Sequence, residues 1–330
     1  MIILTKVTLI MMISLILAIL TGIILIPILK NLKAGQRLSE YLEERHKSKQ
    51  GTPTMGGLIF IIPVVVVMFL LMFLRKIEFN ATIFIVMFTF LAYAIIGFLD
   101  DYLIIKRKNN NGLSEASKFI MQVLVAIIFF YLFIKSGNEP LLWIHTLGIK
   151  LDISFLYGFI ILLVLTASSN AVNITDGLDG LAGSLSLIVF FTLGIISYGA
   201  GWLEGYEEVS LFCFSICGSL IGFLIFNLNP AKVFMGDTGS LALGAVMGSI
   251  AILTRHELLL VLIGIVFVIE TLTCIIQRIY YKFTKKRIFL MTPIHHSFEK
   301  RGWSEGDIVK IFVIIGLVAS MISIIFGVII

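Results

Sequence analysis

The 330-residue chain is 59% hydrophobic and 14% charged, with a mean hydropathy of +1.07 and a formal net charge of +5. A water-soluble domain carries about 25% charged residues, so a soluble globular protein is excluded, and continuous apolar runs in place of two-residue alternation exclude a membrane β-barrel. The composition gives an all-α polytopic membrane protein, one domain over residues 1–330.

Apolar stretches of about 18 residues or more predict transmembrane helices. About ten are expected, near residues 7–29, 53–74, 80–99, 117–134, 151–169, 181–200, 209–227, 239–253, 258–281 and 308–329. The first has no small-residue cleavage site and reads as a retained span, not a signal peptide. The eighth is short and the ninth is long. Lysine and arginine orient the set. The connection after the first span carries Lys30, Lys33, Arg37, Arg45, Lys47 and Lys49, and the one after the third carries Lys106, Arg107 and Lys108. Lys232 follows the seventh span, and seven basic residues from Arg278 to Arg301 follow the ninth. That face holds 17 basic residues against six on the other, so it is expected to be cytoplasmic, with both termini external. Cys213, Cys217 and Cys274 fall in apolar runs and read as small hydrophobes.

Five polar clusters fall on connections of the same basic face: GTPTMGG (51–57), DDYLIIKRKNNNGLSEASK (100–118), NAVNITDGLDG (170–180), FNLNPAKVFMGDTGS (226–240) and TPIHHSFEKRGW (292–303). A transporter places its polar groups near mid-membrane on interrupted helices. Polar groups stacked at one interface fit an enzyme that joins a water-soluble reactant to a lipid-borne one.

Asp100 and Asp101 close the third span. If the helix continues through them, neighbouring carboxylates diverge and take different roles, one near a metal and the other near a proton; a solvated helix end is the plainer alternative. Asn170, Asn173, Asp176 and Asp179 recur at three-residue intervals, as do Gly177, Gly180 and Gly183, which admit a close backbone or ligand approach. Asp179 is a candidate acceptor for a base or sugar, against the alternative of a helix cap. Asp237 lies between two glycines just before a span, where it caps a helix or, with carboxylates from two other connections, holds a hard cation. Magnesium takes one or two protein carboxylates and keeps positions for water and substrate phosphate. Phe234 beside that turn is placed to stack on a nucleobase or to anchor in lipid. His295 and His296 lack a third zinc ligand at any recognised spacing, so anion binding or proton transfer fits them better. Lys49 and Lys118 are candidates for neutralising phosphate. Glu270 and Gln277 share a face of the ninth span, where an acid is expected to meet protein or water and not lipid. Gly218/Gly222 and Gly244/Gly248 have the spacing of close helix packing.

Read together, TPTMGG, FLDDYL, GLSxxxK, NAVNITDGLDGLAG, FNxxPAxVFMGDTGSLALG, ETLTCIIQ and TPIHHSFEKRGW resemble, in order and over nearly the whole chain, the phospho-N-acetylmuramoyl-pentapeptide-transferase family. This is a branch of the polyprenyl-phosphate N-acetylhexosamine-1-phosphate transferases. The resemblance implies a ten-helix fold in the bacterial plasma membrane with a cytoplasmic active site. It implies magnesium-dependent transfer of phospho-MurNAc-pentapeptide from UDP-MurNAc-pentapeptide to undecaprenyl phosphate, releasing UMP and forming lipid I. It implies catalytic roles for Asp100, Asp101, Asp237, His295, His296 and Lys118, with Asp237 the magnesium ligand. It implies substrate-side roles for Lys49, Asn173, Asp176, Asp179, Asn227, Phe234 and Gln277. No nucleic-acid partner is implied, and a homodimer is left open. Two positions depart from the family pattern: Ser297 replaces a third histidine, and Ile104 replaces a lysine, for which Lys106 is a candidate substitute. The rival readings are a transferase of the N-acetylglucosamine branch and, from another class, a transporter or lipid flippase.

Overall fold

The computed structural model describes residues 2–32, 49, 51–107, 112–144 and 148–329. Lys33, Arg37, Arg45, Lys47 and Lys108, which enter the orientation argument, lie outside the described residues. The chain is an all-α polytopic membrane protein. Its helices are α1 (Ile2–Asn31), α2 (Leu58–Phe73), α3 (Ala81–Arg107), α4 (Glu115–Lys135), α5 (Leu156–Thr175), α6 (Leu181–Gly199), α7 (Tyr206–Asn227), α8 (Gly236–Leu253), α9 (Glu257–Ile263), α10 (Ile265–Thr284), α11 (Ile294–Lys300) and α12 (Glu305–Ile324). A short hairpin of β1 (Leu141–Ile144) and β2 (Ile149–Asp152) stands between α4 and α5.

The bundle is organised around α8, which packs against α3 and α5 and is almost wholly enclosed. α7 forms a second buried layer, covered by α1, α2 and α6, and α12 closes over α6. Lipid tails are as apolar as leucine, so such helices associate by close packing and not by the hydrophobic effect. Small residues supply the closeness: a Cβ on Gly244 would stand 2.3 Å from the Ser168 carbonyl oxygen, and one on Gly218 would stand 2.2 Å from that of Met11. The outer surfaces expose large apolar side chains, among them Leu9, Ile16, Ile127, Leu163 and Ile276, as a lipid-facing surface requires.

Among the described residues, eight helices are long and apolar enough to cross a membrane, and the pair α9–α10 would make a ninth. Four expected boundaries change. The second span is a 16-residue apolar helix starting at Leu58, because residues 51–57 are a turn bonded to the segment before α8. The third runs on to Arg107, carrying both of its aspartates inside the helix. The fifth starts at Leu156 because 149–152 pairs antiparallel with 141–144. Gly137, at φ +84°, ends α4, and the stretch that follows pairs as strands, which the all-helical expectation did not contain. The ninth is broken: α9 and α10 meet at Gly264 with an 88° bend.

Candidate active site

The polar clusters meet at one end of the bundle, and α3 shows how. Because the helix persists through Asp100 and Asp101, the adjacent carboxylates leave on different sides. Asp101 turns to the start of α8, where it accepts the Thr238 hydroxyl at 2.6 Å and the N–H groups of Thr238 at 3.0 Å and Asp237 at 3.3 Å. A carboxylate there satisfies orphan donors and the positive end of the helix dipole. Asp100 turns instead to the start of α4, accepting the Leu113 N–H at 2.7 Å and lying 3.2 Å from the Lys118 ammonium. Ser114 caps α4 by accepting the Ser117 N–H, which sets Lys118 on the first turn, facing inward.

Lys118 also reaches Asp237 Oδ2 at 2.6 Å, so one ammonium joins α3 to α8. The other oxygen of Asp237 accepts the Asn173 amide at 2.8 Å, and Asn173 donates again to Ser240 at 2.9 Å. Backbone contact brings these acids together: a Cβ on Gly97 would stand 2.0 Å from the Asp237 carbonyl oxygen, so α3 and α8 touch with no side chain between them. Asp176, at the C-terminal cap of α5, completes the group. Burial, and then the negative charges of Asp237 and Asp101, push its carboxyl up to about 7.

A second cluster adjoins the first through the 176–180 turn. Lys49 lies 2.7 Å from Asp179 and 2.5 Å from Glu305. Asp179 also accepts the Ala231 N–H at 3.0 Å, and Glu305 accepts the Asp179 N–H and the Asn229 amide. Glu305 escaped the sequence reading. It stands at the start of the last span, and its one local signal is the acid behind the Ser304 cap, which reads as a helix-start device.

The remaining expected residues divide by what their side chains touch. Asn227 is buried with its amide committed to backbone, accepting from Gly180 N–H at 3.1 Å and donating to the Val233 carbonyl at 3.0 Å, so it ties two turns together. Phe234 is half-buried, and its backbone bonds to Pro53 and Gly56 fix the 51–57 turn against the start of α8. Gln277 accepts the N–H groups of Ile288 and Phe289, shaping the basic connection away from the aspartates. His295 is wholly enclosed beneath the 176–180 turn and does not face an open site. His296 contacts Glu299 at 2.5 Å, one turn on. Ser297, at the third-histidine position, accepts the Met291 N–H and donates to the Met291 carbonyl, a turn-closing task that a hydroxyl does well. Lys106 is exposed, 5.9 Å from the Tyr102 ring centroid, so it does not stand in for the lysine absent at Ile104.

Asp100, Asp101, Asp176 and Asp237 come together from α3, the end of α5 and the start of α8, with the Lys118 ammonium between Asp100 and Asp237. Comparison with known proteins places this arrangement. The glycosyl transferase family 4 model matches residues 83–255, and signature 1 of phospho-N-acetylmuramoyl-pentapeptide-transferase matches residues 49–61. A phospho-N-acetylmuramoyl-pentapeptide-transferase of Geobacillus sp. (strain WCH70) is 43% identical over 321 residues, covering 96% of this chain and 97% of the relative. The chain belongs to the phospho-N-acetylmuramoyl-pentapeptide-transferase family. A transferase of that name from Staphylococcus epidermidis (strain ATCC 35984) is 44% identical over 92% of this chain and 94% of its own, and one from Geobacillus kaustophilus is 42% identical over 95% of each. The family signature covers Lys49 and the 51–57 turn, and the broader model takes in all four aspartates.

Phosphoglycosyl transferases of this family are generally dependent on a divalent cation. Among the described residues, no three carboxylate, histidine or cysteine groups form a ready-made metal cage. A magnesium ion does not require one, since one or two carboxylates suffice and the other positions go to water and phosphate. Asp237, with a side chain 20% exposed, is the most open of the acids bonded to Lys118, and the surplus of carboxylates over bonded ammonium fits a cation there.

Proposed function

We propose that this chain transfers phospho-MurNAc-pentapeptide from UDP-MurNAc-pentapeptide to undecaprenyl phosphate, giving lipid I and UMP. We place the reaction at the cytoplasmic face of the bacterial plasma membrane, with magnesium as the cofactor. The observation that carries the reading is the convergence of Asp100, Asp101, Asp176 and Asp237 on one end of the bundle, cross-linked by Lys118 and Asn173.

Phosphoryl transfer rests mainly on positioning and charge neutralisation. Asp237 would hold magnesium, which when bound neutralises the diphosphate of the donor. Lys118, between Asp100 and Asp237, is placed to exchange a carboxylate for a phosphate oxygen. Asp100 takes the proton of the lipid phosphate, whose oxygen attacks the sugar-bearing phosphorus. The new P–O bond forms as the bond to UMP breaks, and UMP leaves with its electron pair. Asp101 has three donors from α8 on its two oxygens. It is therefore committed to the framework and is a poor candidate for a covalent phospho-enzyme, which supports the one-step route. Lys49, Asp179 and Phe234 line the donor side.

The test is UMP release in mixed micelles with undecaprenyl phosphate, first with UDP-MurNAc-pentapeptide and then with UDP-N-acetylglucosamine. Turnover with the first donor alone is expected. Turnover with the second alone would move the chain to the neighbouring branch, and turnover with neither would sink the reading. A phosphorylated Asp100 or Asp101 trapped from the reaction would overturn the one-step route.

A further inference from the structure

Glu270 sits inside α10 with no exposed surface, after an apolar first turn of Ile265–Ile269. Its Oε1 lies 3.1 Å from Nδ1 of His295, which is equally enclosed. The two atoms are close without hydrogen-bond geometry, and neither the carboxylate oxygens nor the ring nitrogens have a hydrogen-bond partner among the described residues. A carboxylate stripped of water so deep in protein is costly unless paired, so the position calls for an explanation that packing does not give.

The other face of the ring supplies it. Nε2 of His295 lies where a Cβ on Gly177 would be, 2.4 Å away, so the imidazole fills the space beneath the first residue after Asp176. Two residues further on, Asp179 meets Lys49 and Glu305. With the Glu270 carboxylate beside Nδ1, the ring stands with Nε2 toward the turn.

We infer that Glu270 is a positioning residue for the transferase site. It orients His295, and His295 supports the 176–180 turn, which holds Asp176 beside Asp101 and Asp237 and holds Asp179 against Lys49. The inference rests on the reading of this end of the bundle as the active site and adds a residue buried in the transmembrane region to it.

The experiment compares Glu270→Leu with Glu270→Gln, alone and in a His295→Asn background, in the full-length protein. Leucine removes both charge and acceptor at similar volume, whereas glutamine keeps a polar group beside Nδ1. Glu270→Leu is expected to lower UMP release per folded molecule at least tenfold, a loss larger than any accompanying fall in thermal midpoint explains, since removing one partner of a buried pair also costs stability. Glu270→Gln is expected to stay within about threefold of wild type, the gap between the two variants measuring the polar contact at the ring nitrogen. In the His295→Asn background Glu270→Leu should change turnover less than twofold. Hydrogen–deuterium exchange of a peptide covering residues 173–181 should quicken several-fold in Glu270→Leu, with the 141–152 hairpin unaltered. Unchanged exchange at 173–181 in Glu270→Leu would overturn the inference, as would a turnover loss that adds in full to that of His295→Asn or that tracks a fall in thermal midpoint. An inactive wild type, or a fully active Asp237→Asn, would strike the function reading, while loop exchange would still decide for or against Glu270.

Discussion

The two ends of the bundle both bury charge, and they do it differently. At the end opposite the aspartates, Arg255 donates to the carbonyls of Leu141 at 2.9 Å and Glu139 at 2.8 Å and lies 5.0 Å from the Phe133 ring centroid. The Tyr157 hydroxyl between Arg255 and Glu257 bonds to the Glu257 carboxylate. One cation and one anion are joined through that hydroxyl, and the hairpin is fastened to the end of α8. At the aspartate end, four carboxylates stand close together with one ammonium, Lys118, bonded to two of them, and Asp237 is partly open to solvent. A balanced cluster is finished when the chain has folded. A cluster with surplus charge of one sign is completed by what binds to it.

That contrast can be broken by substitution, most sharply at Asp237. Asp237→Asn should lower UMP release by at least about 10³-fold, or about 4 kcal/mol of barrier, while the thermal midpoint holds or rises because surplus negative charge is removed. Near-normal turnover at millimolar magnesium would remove its metal role. Lys118→Met should cost about 10²-fold in turnover, the scale of one lost charge-stabilising donor, and should lower thermal stability as well, since it leaves Asp100 and Asp237 unpaired. Arg255→Ala should act in the opposite sense. It removes the charged donors to the Leu141 and Glu139 carbonyls and frees the hairpin, so a loss of about 1.5–3 kcal/mol in stability is expected, measured by denaturation in detergent, with turnover per folded molecule unchanged. If Arg255→Ala instead abolished turnover in folded protein, the two ends would not be separable.

The smallest effect concerns pH. Asp176 is raised to about 7 from an ordinary value of 3.8, so the folded protein keeps a proton that the unfolded chain loses near pH 4. Its contribution to stability is therefore present below pH 4 and is lost as pH rises toward 7. Thermal midpoints measured from pH 5 to pH 8 without magnesium should fall less steeply in Asp176→Asn than in wild type. Parallel slopes would show that Asp176 carries no such proton.

Much of this was legible in the chain because apolar runs and one-sided polar clusters report directly on membrane crossing. The divergence of Asp100 and Asp101 followed from helix geometry alone once the helix was taken to continue. The bend at Gly264 was hidden, since hydropathy sums apolarity along a run and carries no direction. The hairpin was hidden in the same way, although Gly137 and Pro140 mark the interruption. Glu305 was missed because its partners, Lys49 and Asp179, are more than a hundred residues away, and such a contact leaves no local periodicity. Asn227 and Gln277 were picked out as polar residues in motifs, but their bonds to backbone were not legible, because an amide's appetite for partners is the same whether a ligand or a backbone satisfies it.

The bare contact between Gly97 and the Asp237 peptide has a consequence for ion choice. Where two backbones touch, the gap between the acids they carry is preset and cannot widen to suit a larger guest. Calcium takes six to eight ligands at 2.3–2.6 Å, whereas magnesium takes six at 2.0–2.1 Å. For the magnesium site proposed at Asp237, that preset spacing should favour the smaller ion, so calcium is expected to compete for entry without sustaining turnover. Gly97→Ala, by forcing the jaws apart, is expected to weaken magnesium more than calcium.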